Sequence, residues 1–133
     1  MDEVDVHVEV EINHTEDSEK VRKAVENILG SLEFEVKSQG VGSLLIAKGK
    51  GIEELTKFYN MLRIERIRDA ARGVLFDGLE GKSIVFYLNK QVAYAGHVSF
   101  SKPTGESPLG PIKVKIHFDN PRELIEWLAP RTA

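Results

Sequence analysis

At the start of the chain Val4, Val6, Val8, Val10 and Ile12 alternate with Asp5, His7, Glu9 and Glu11. A period of two is the pattern of a strand with one dry and one wet face, so the even-numbered residues are predicted to be buried. Capping side chains at Thr15 to Ser18 come next. Val21, Val25, Ile28, Leu29 and Leu32 then recur at helical spacing, with Glu16, Asp17 and Glu19 where the helix dipole favours acids. These signals predict a helix from about Glu16 to Leu32. Phe34 and Val36, then Leu44 to Ala47, read as a hairpin around Gln39-Gly40-Val41-Gly42, whose glycines take the positive φ of a tight turn.

The long stretch after Gly49-Lys50-Gly51 carries two apolar stripes. Ile52, Leu55, Tyr59 and Leu62 form one, and Ile64, Ile67, Ala71 and Val74 form another, out of phase with the first. A straight helix cannot bury both against one surface, which predicts a break near Arg63 to Glu65. Asp77-Gly78-Leu79-Glu80-Gly81 ends the helical region. Ser83 to Leu88 and Val92 to Phe100 read as strands around Asn89-Lys90-Gln91, and Ser101 to Gly110 as a loop. From Ile112 to Phe118, Val114 and Ile116 share one face while Lys113, Lys115 and His117 share the other. Asn120-Pro121-Arg122-Glu123 offers an N-cap, a proline at the first helical position and a capping-box glutamate for a last helix through Leu124, Ile125, Trp127 and Leu128, which Pro130 stops. The order is β-α-β-β-α-α-β-β-β-α, an α+β fold in two layers, with a mostly antiparallel sheet bearing helices on one face.

Length and composition narrow the classes. The 133 residues suit a single domain spanning 1–133. Without cysteine there is no disulfide framework, thiolate nucleophile or cysteine-based metal site. No apolar run approaches the roughly 18 residues of a membrane-spanning helix, and the acidic N-terminus is unlike a signal peptide, so a cytoplasmic location without membrane contact is expected. A net charge of −3 requires any nucleic-acid contact to come from a local basic patch.

Candidate chemistry is sparse. His7, His14, His97 and His117 lack metal-ligand spacing, although His7, His97 and His117 share an open sheet face if their strands adjoin. The blander reading has Asp5, Glu9 and Glu11 neutralising Lys113 and Lys115 across strands. Arg63 to Arg72 holds four arginines and two acids. Glu65 to Arg68, Asp69 to Arg72 and Arg66 to Asp69 have the spacing of helix-surface ion pairs. Arg66, near the apolar stripe, is expected to be partly buried and to fix the bend, while Arg63, Arg68 and Arg72 present guanidinium donors to phosphate. Asn89-Lys90-Gln91 reads either as a polar turn between strands or as a binding feature that places one cation and two amides at a sheet end. The loop bearing Glu106 and Ser107 is long for neighbouring strands and suits binding or a structural Ω-like role. No catalytic, metal or cofactor motif occurs.

Four ordered segments, Leu62-Arg63-Ile64-Glu65-Arg66-Ile67-Arg68-Asp69-Ala70-Ala71-Arg72, Asn89-Lys90-Gln91-Val92-Ala93, Glu106-Ser107-Pro108-Leu109-Gly110-Pro111-Ile112 and Trp127-Leu128-Ala129-Pro130-Arg131-Thr132, resemble the signature of a small archaeal family of hypothetical proteins. The resemblance implies a fold similar to large-subunit ribosomal protein five and predicted RNA binding, sometimes in association with the exosome. It supplies no catalytic residue. It points to Arg63, Arg68, Arg72, Lys90, Gln91 and Arg131 as RNA contacts, with Arg66, Glu106 and Ser107 as structural or loop positions. The expected function is non-catalytic RNA binding through backbone phosphates, without base stacking because the single tryptophan, Trp127, belongs to a core stripe. The alternatives are a protein-interaction or assembly subunit, including a homo-oligomer, and an enzyme using Glu106, Ser107 or a histidine.

Overall fold

The computed structural model describes residues 3–30, 32–38, 40, 42–102 and 110–131. Strand β1, Asp5–Ile12, buries Val6, Val8, Val10 and Ile12 and leaves Asp5 and Glu11 exposed and His7 and Glu9 partly so, in the expected register. Helix α1, Ser18–Ile28, starts at Asp17, whose side chain accepts from Glu19 N. It is shorter than expected. Leu29 is already extended and Gly30 N donates to Glu54 O, yet Leu29 and Leu32 stay buried, so the apolar spacing outlasts the helix. Strands β2, Glu33–Ser38, and β3, Ser43–Lys50, form the hairpin.

A 3-10 turn at Ile52–Leu55 leads into α2, Thr56–Ile64, and after a break α3 runs over Arg68–Asp77. The break is a Schellman motif: Arg66 N donates to Arg63 O at 3.2 Å and Ile67 N to Leu62 O at 3.0 Å, with Arg66 at φ 57°. This lets Phe58 and Leu62 on one helix and Ala71 and Leu75 on the next reach the same core. Arg66 contributes backbone at the bend, not a buried side chain. Its side chain is exposed, which corrects the expectation of a partly buried guanidinium.

Past the two-residue β4, Leu79–Glu80, strand β5 covers Ser83–Asn89. Gly78 lies so close to β5 that a Cβ there would fall 1.8 Å from Val85 O, so only glycine fits. The segment expected as a fifth strand from Val92 to Phe100 opens in a helix instead. Helix α4, Lys90–Tyr94, is capped by the Asn89 side chain accepting from Val92 N at 3.0 Å, and only Phe100–Ser101, β6, is extended. Strand β7, Pro111–His117, and helix α5, Pro121–Leu128, follow, with Asn120 accepting from Glu123 N as its cap.

The described strands form one antiparallel sheet in the order β2-β3-β1-β7-β5-β4, with β6 also on β5. Its helix-facing side buries Val6, Val8, Leu45, Val114, Ile84 and Phe86, the last stacked on Phe58 at 5.5 Å. The opposite side is open, so the fold is the expected two-layer α+β arrangement in the expected order of principal elements.

A non-glycine residue in the left-handed region costs about 1 kcal/mol. Arg66→Gly is expected to raise stability by up to about that amount in denaturant unfolding, and Arg66→Val to lower it. A clear loss of stability in the glycine variant would show that the side chain, not the backbone, holds the bend.

Candidate functional site

Helix α5 ends with carbonyl groups that its own turns cannot satisfy. Two arginines of the α2–α3 segment meet them. The Arg63 guanidinium donates to Leu128 O at 3.1 Å, Trp127 O at 3.3 Å and Tyr59 O at 2.9 Å, and lies 3.4 Å over the Tyr59 ring. Tyr59 in turn stacks on Trp127 with ring centroids 4.5 Å apart. Arg72 donates to both carboxylate oxygens of Glu126 and, at 3.2 Å, to Ala129 O. Hydrogen bonds from Arg72 hold the Glu126 carboxyl below its ordinary range, helped by the charge of exposed Arg131. The donors of Arg63 and Arg72 are therefore engaged inside the molecule, contrary to the expectation that they project free.

Lys90 is similarly committed. It is 4% exposed and donates to Glu11 O at 2.7 Å and to the Glu16 carboxylate at 3.1 Å, joining the end of β1, the approach to α1 and the start of α4. Burial raises the Glu16 carboxyl, but hydrogen bonds from the Asn13 backbone and side chain and from Lys90 outweigh it and leave the group below its usual range. A polar turn at a sheet end was expected; a buried ion pair tying three elements is found.

The remaining predicted positions are scattered. Arg68 is half-exposed at the start of α3, and Gln91 and Arg131 are exposed elsewhere on the helix side. Glu106 and Ser107 lie outside the described residues. Glu65 does not serve the surface pair expected with Arg68: it accepts from Val98 N at 3.2 Å and sits 3.5 Å from His97 Nδ1. His97 therefore joins the helix break, and only His7 and His117 share the open sheet face. Among the described residues no three His, Asp or Glu side chains are placed to hold a metal ion.

That open face holds a set of side chains that the sequence reading did not assemble. Pairing across β3, β1, β7 and β5 aligns Lys48, His7, Lys115 and Val85 in one row and Ile46, Glu9, Lys113 and Tyr87 in the next. A third row runs Lys50, Asp5, His117, Ser83. Glu9 turns to His7, 3.1 Å away, instead of neutralising Lys113. Lys48, Lys50, Lys113 and Lys115 make no ion pair with any described residue. A shallow concavity of about 530 Å³ lies on this face, and another of about 630 Å³, lined also by Glu54 of the 3-10 turn, shares Asp5 and His7 with it. Half-exposed Tyr87 supplies an aromatic ring beside Lys113. The alternation of β3 and β5 carried the signal, but without strand order Lys48 and Lys50 could not be placed beside β1, nor Tyr87 beside β7.

Internal ties of this kind are costly to cut. Lys90→Ala takes the charge partner from Glu16 and the donor from Glu11 O and is expected to destabilise the fold by about 3 kcal/mol in urea. Because the Glu16 carboxyl is lowered in the folded state, its contribution is complete above the ordinary carboxylate range and fades as pH falls through the lowered value. That acid-side loss should shrink in Lys90→Ala. Arg63→Ala is expected to cost about 1–2 kcal/mol through the orphaned α5 carbonyls. Wild-type stability in either variant would contradict these roles.

A family model described as RNA binding matches residues 5–118. A UPF0201 protein of Thermococcus kodakarensis is 44% identical over 128 residues, covering 96% of this chain and 91% of the relative. Another, from Saccharolobus islandicus, is 41% identical over 130 residues, with 98% and 90% covered. The 2.2 Å crystal structure of a UPF0201 protein from Methanococcus jannaschii superposes with a TM-score of 0.86 at 33% identity, over 97% of this chain and 95% of that one. The likeness that the four motifs signalled thus extends along nearly the whole chain and its fold, and the protein belongs to the archaeal UPF0201 family, within the family model described as RNA binding.

Proposed function

We propose that the chain is a non-catalytic RNA-binding protein and that it receives a single strand on the open face of its sheet. The observation that carries this reading is the set of four lysines on that face with no ion pair among the described residues, set around His7, His117 and the ring of Tyr87. A strand of RNA offers what such a surface lacks: phosphates for the ammonium groups and a base for the ring. The overall charge of −3 does not oppose it, because contact depends on the local patch and the neighbouring acids Asp5 and Glu9 limit its strength to a salt-sensitive grip. Arg63, Arg72 and Lys90 then act as positioning residues. No membrane is involved in this reading, and no helix among the described residues is long and apolar enough to cross one.

A second reading is favoured by the exposure of Arg66, Gln91 and Arg131 and the half-exposure of Arg68, which leave the helix side accessible to phosphates. Fluorescence anisotropy with an unstructured RNA separates the two. On a single strand each phosphate contact contributes about −0.7 to the slope of log affinity against log salt. Lys113→Glu with Lys115→Glu is expected to flatten the slope by about 1.4 and Tyr87→Ala to weaken binding roughly tenfold, while Arg68→Glu with Arg131→Glu leaves the slope unchanged. The reverse pattern would transfer the site to the helices, and no binding by the wild type at low salt would end the RNA reading.

A further inference from the structure

One edge of the sheet is closed by two-residue strands, β4 and β6, but the other ends in the six-residue β2 with nothing described beyond it. Long open edges offer backbone donors and acceptors to any extended chain, and soluble proteins usually shorten, charge or cover them. Every residue of β2 is exposed except Phe34, half-buried with the Arg22 guanidinium 4.7 Å above its ring. Val36 pairs with Leu45, which is 2% exposed on the helix-facing side, yet Val36 itself is 52% exposed, because the helix layer stops short of it. It is one of three large apolar side chains exposed among the described residues, and it lies on the edge strand.

The sequence of this strand selects its occupant. Read against itself in reverse, Glu35-Val36-Lys37 sets each glutamate opposite a lysine. We infer that a second copy of this chain pairs with β2 across a two-fold axis at Val36, so that Val36 faces the partner's Val36, Glu35 faces the partner's Lys37 and Lys37 the partner's Glu35. Paired residues in a continuous antiparallel sheet share a face, so only registers of this parity are open. Centring on Glu35 sets two glutamates against each other. A centre at Phe34 opposes Glu33 to the partner's Glu35 twice, and one at Lys37 opposes two lysines. Of the centres from Phe34 to Lys37 only the Val36 register aligns no like charges, and it covers the apolar side chain that α1 leaves bare. The pairing would join two seven-stranded sheets edge to edge, with their open faces on one side. It does not depend on the RNA reading.

Five paired residues make a small interface against the roughly 1,200 Å² of a stable complex, so dimerisation is expected to be concentration-dependent. Sedimentation equilibrium of the full chain at tens to hundreds of micromolar should show a mass rising from 14.9 kDa towards twice that value. Lys37→Glu and Glu35→Lys should each hold the chain monomeric, and the double variant Glu35→Lys with Lys37→Glu should dimerise again. Both residues are exposed, and unchanged thermal melts confirm that each variant is folded. A monomer throughout the range, or a dimer that neither single change weakens, overturns the proposal. Rescue of Lys37→Glu by Glu33→Lys instead of Glu35→Lys overturns the register.

Discussion

Strand β1 decides both faces of this molecule. It lies between β3 and β7, and burial of Val6, Val8, Val10 and Ile12 obliges every neighbour to turn its own apolar residues the same way. Since successive side chains point to opposite faces, the same choice fixes Asp5, His7 and Glu9 on the wet side and aligns Lys48 and Lys115 beside them. A slip of one residue would bury a row of charges and is excluded by their desolvation cost. The core and the candidate RNA surface are thus two consequences of one pairing.

The helix layer answers a different constraint. Two apolar stripes out of phase need a sharp turn, and the Schellman motif at Arg66 provides it. The turn aims Arg63 and Arg72 at the end of α5, where three carbonyls need donors. Clustered arginine in a short segment reads as phosphate-binding because phosphate and backbone carbonyl make the same demand on a guanidinium. Here the carbonyl takes much of that capacity, as the backbone carbonyl of Glu11 takes part of that of Lys90.

Much of the fold was legible. The alternation of β1 and β7, the out-of-phase stripes after Gly51 and the Asn120-Pro121 start of α5 each encode local structure by period or capping, and each appears as expected. Val92 to Phe100 misled because local apolar content resembled a strand, whereas Asn89 capped a helix through a bond that spacing alone does not signal. The site was less legible, because it depends on strand order: Lys48, His7, Lys115 and Val85 are far apart in sequence and adjacent only through β3-β1-β7-β5 pairing. Burial of Lys90 was invisible for the same reason, since Glu16 lies 74 residues away.

In the proposed reading RNA meets the sheet and not the helices. Titration of the isotopically labelled protein with an unstructured RNA, followed by amide chemical shifts, tests it residue by residue. Perturbations are expected to concentrate at His7, Lys48, Tyr87, Lys113 and Lys115, with the amides of Arg66 to Arg72 unmoved. Shifts confined to Arg66 to Arg72 and the end of α5 would contradict it.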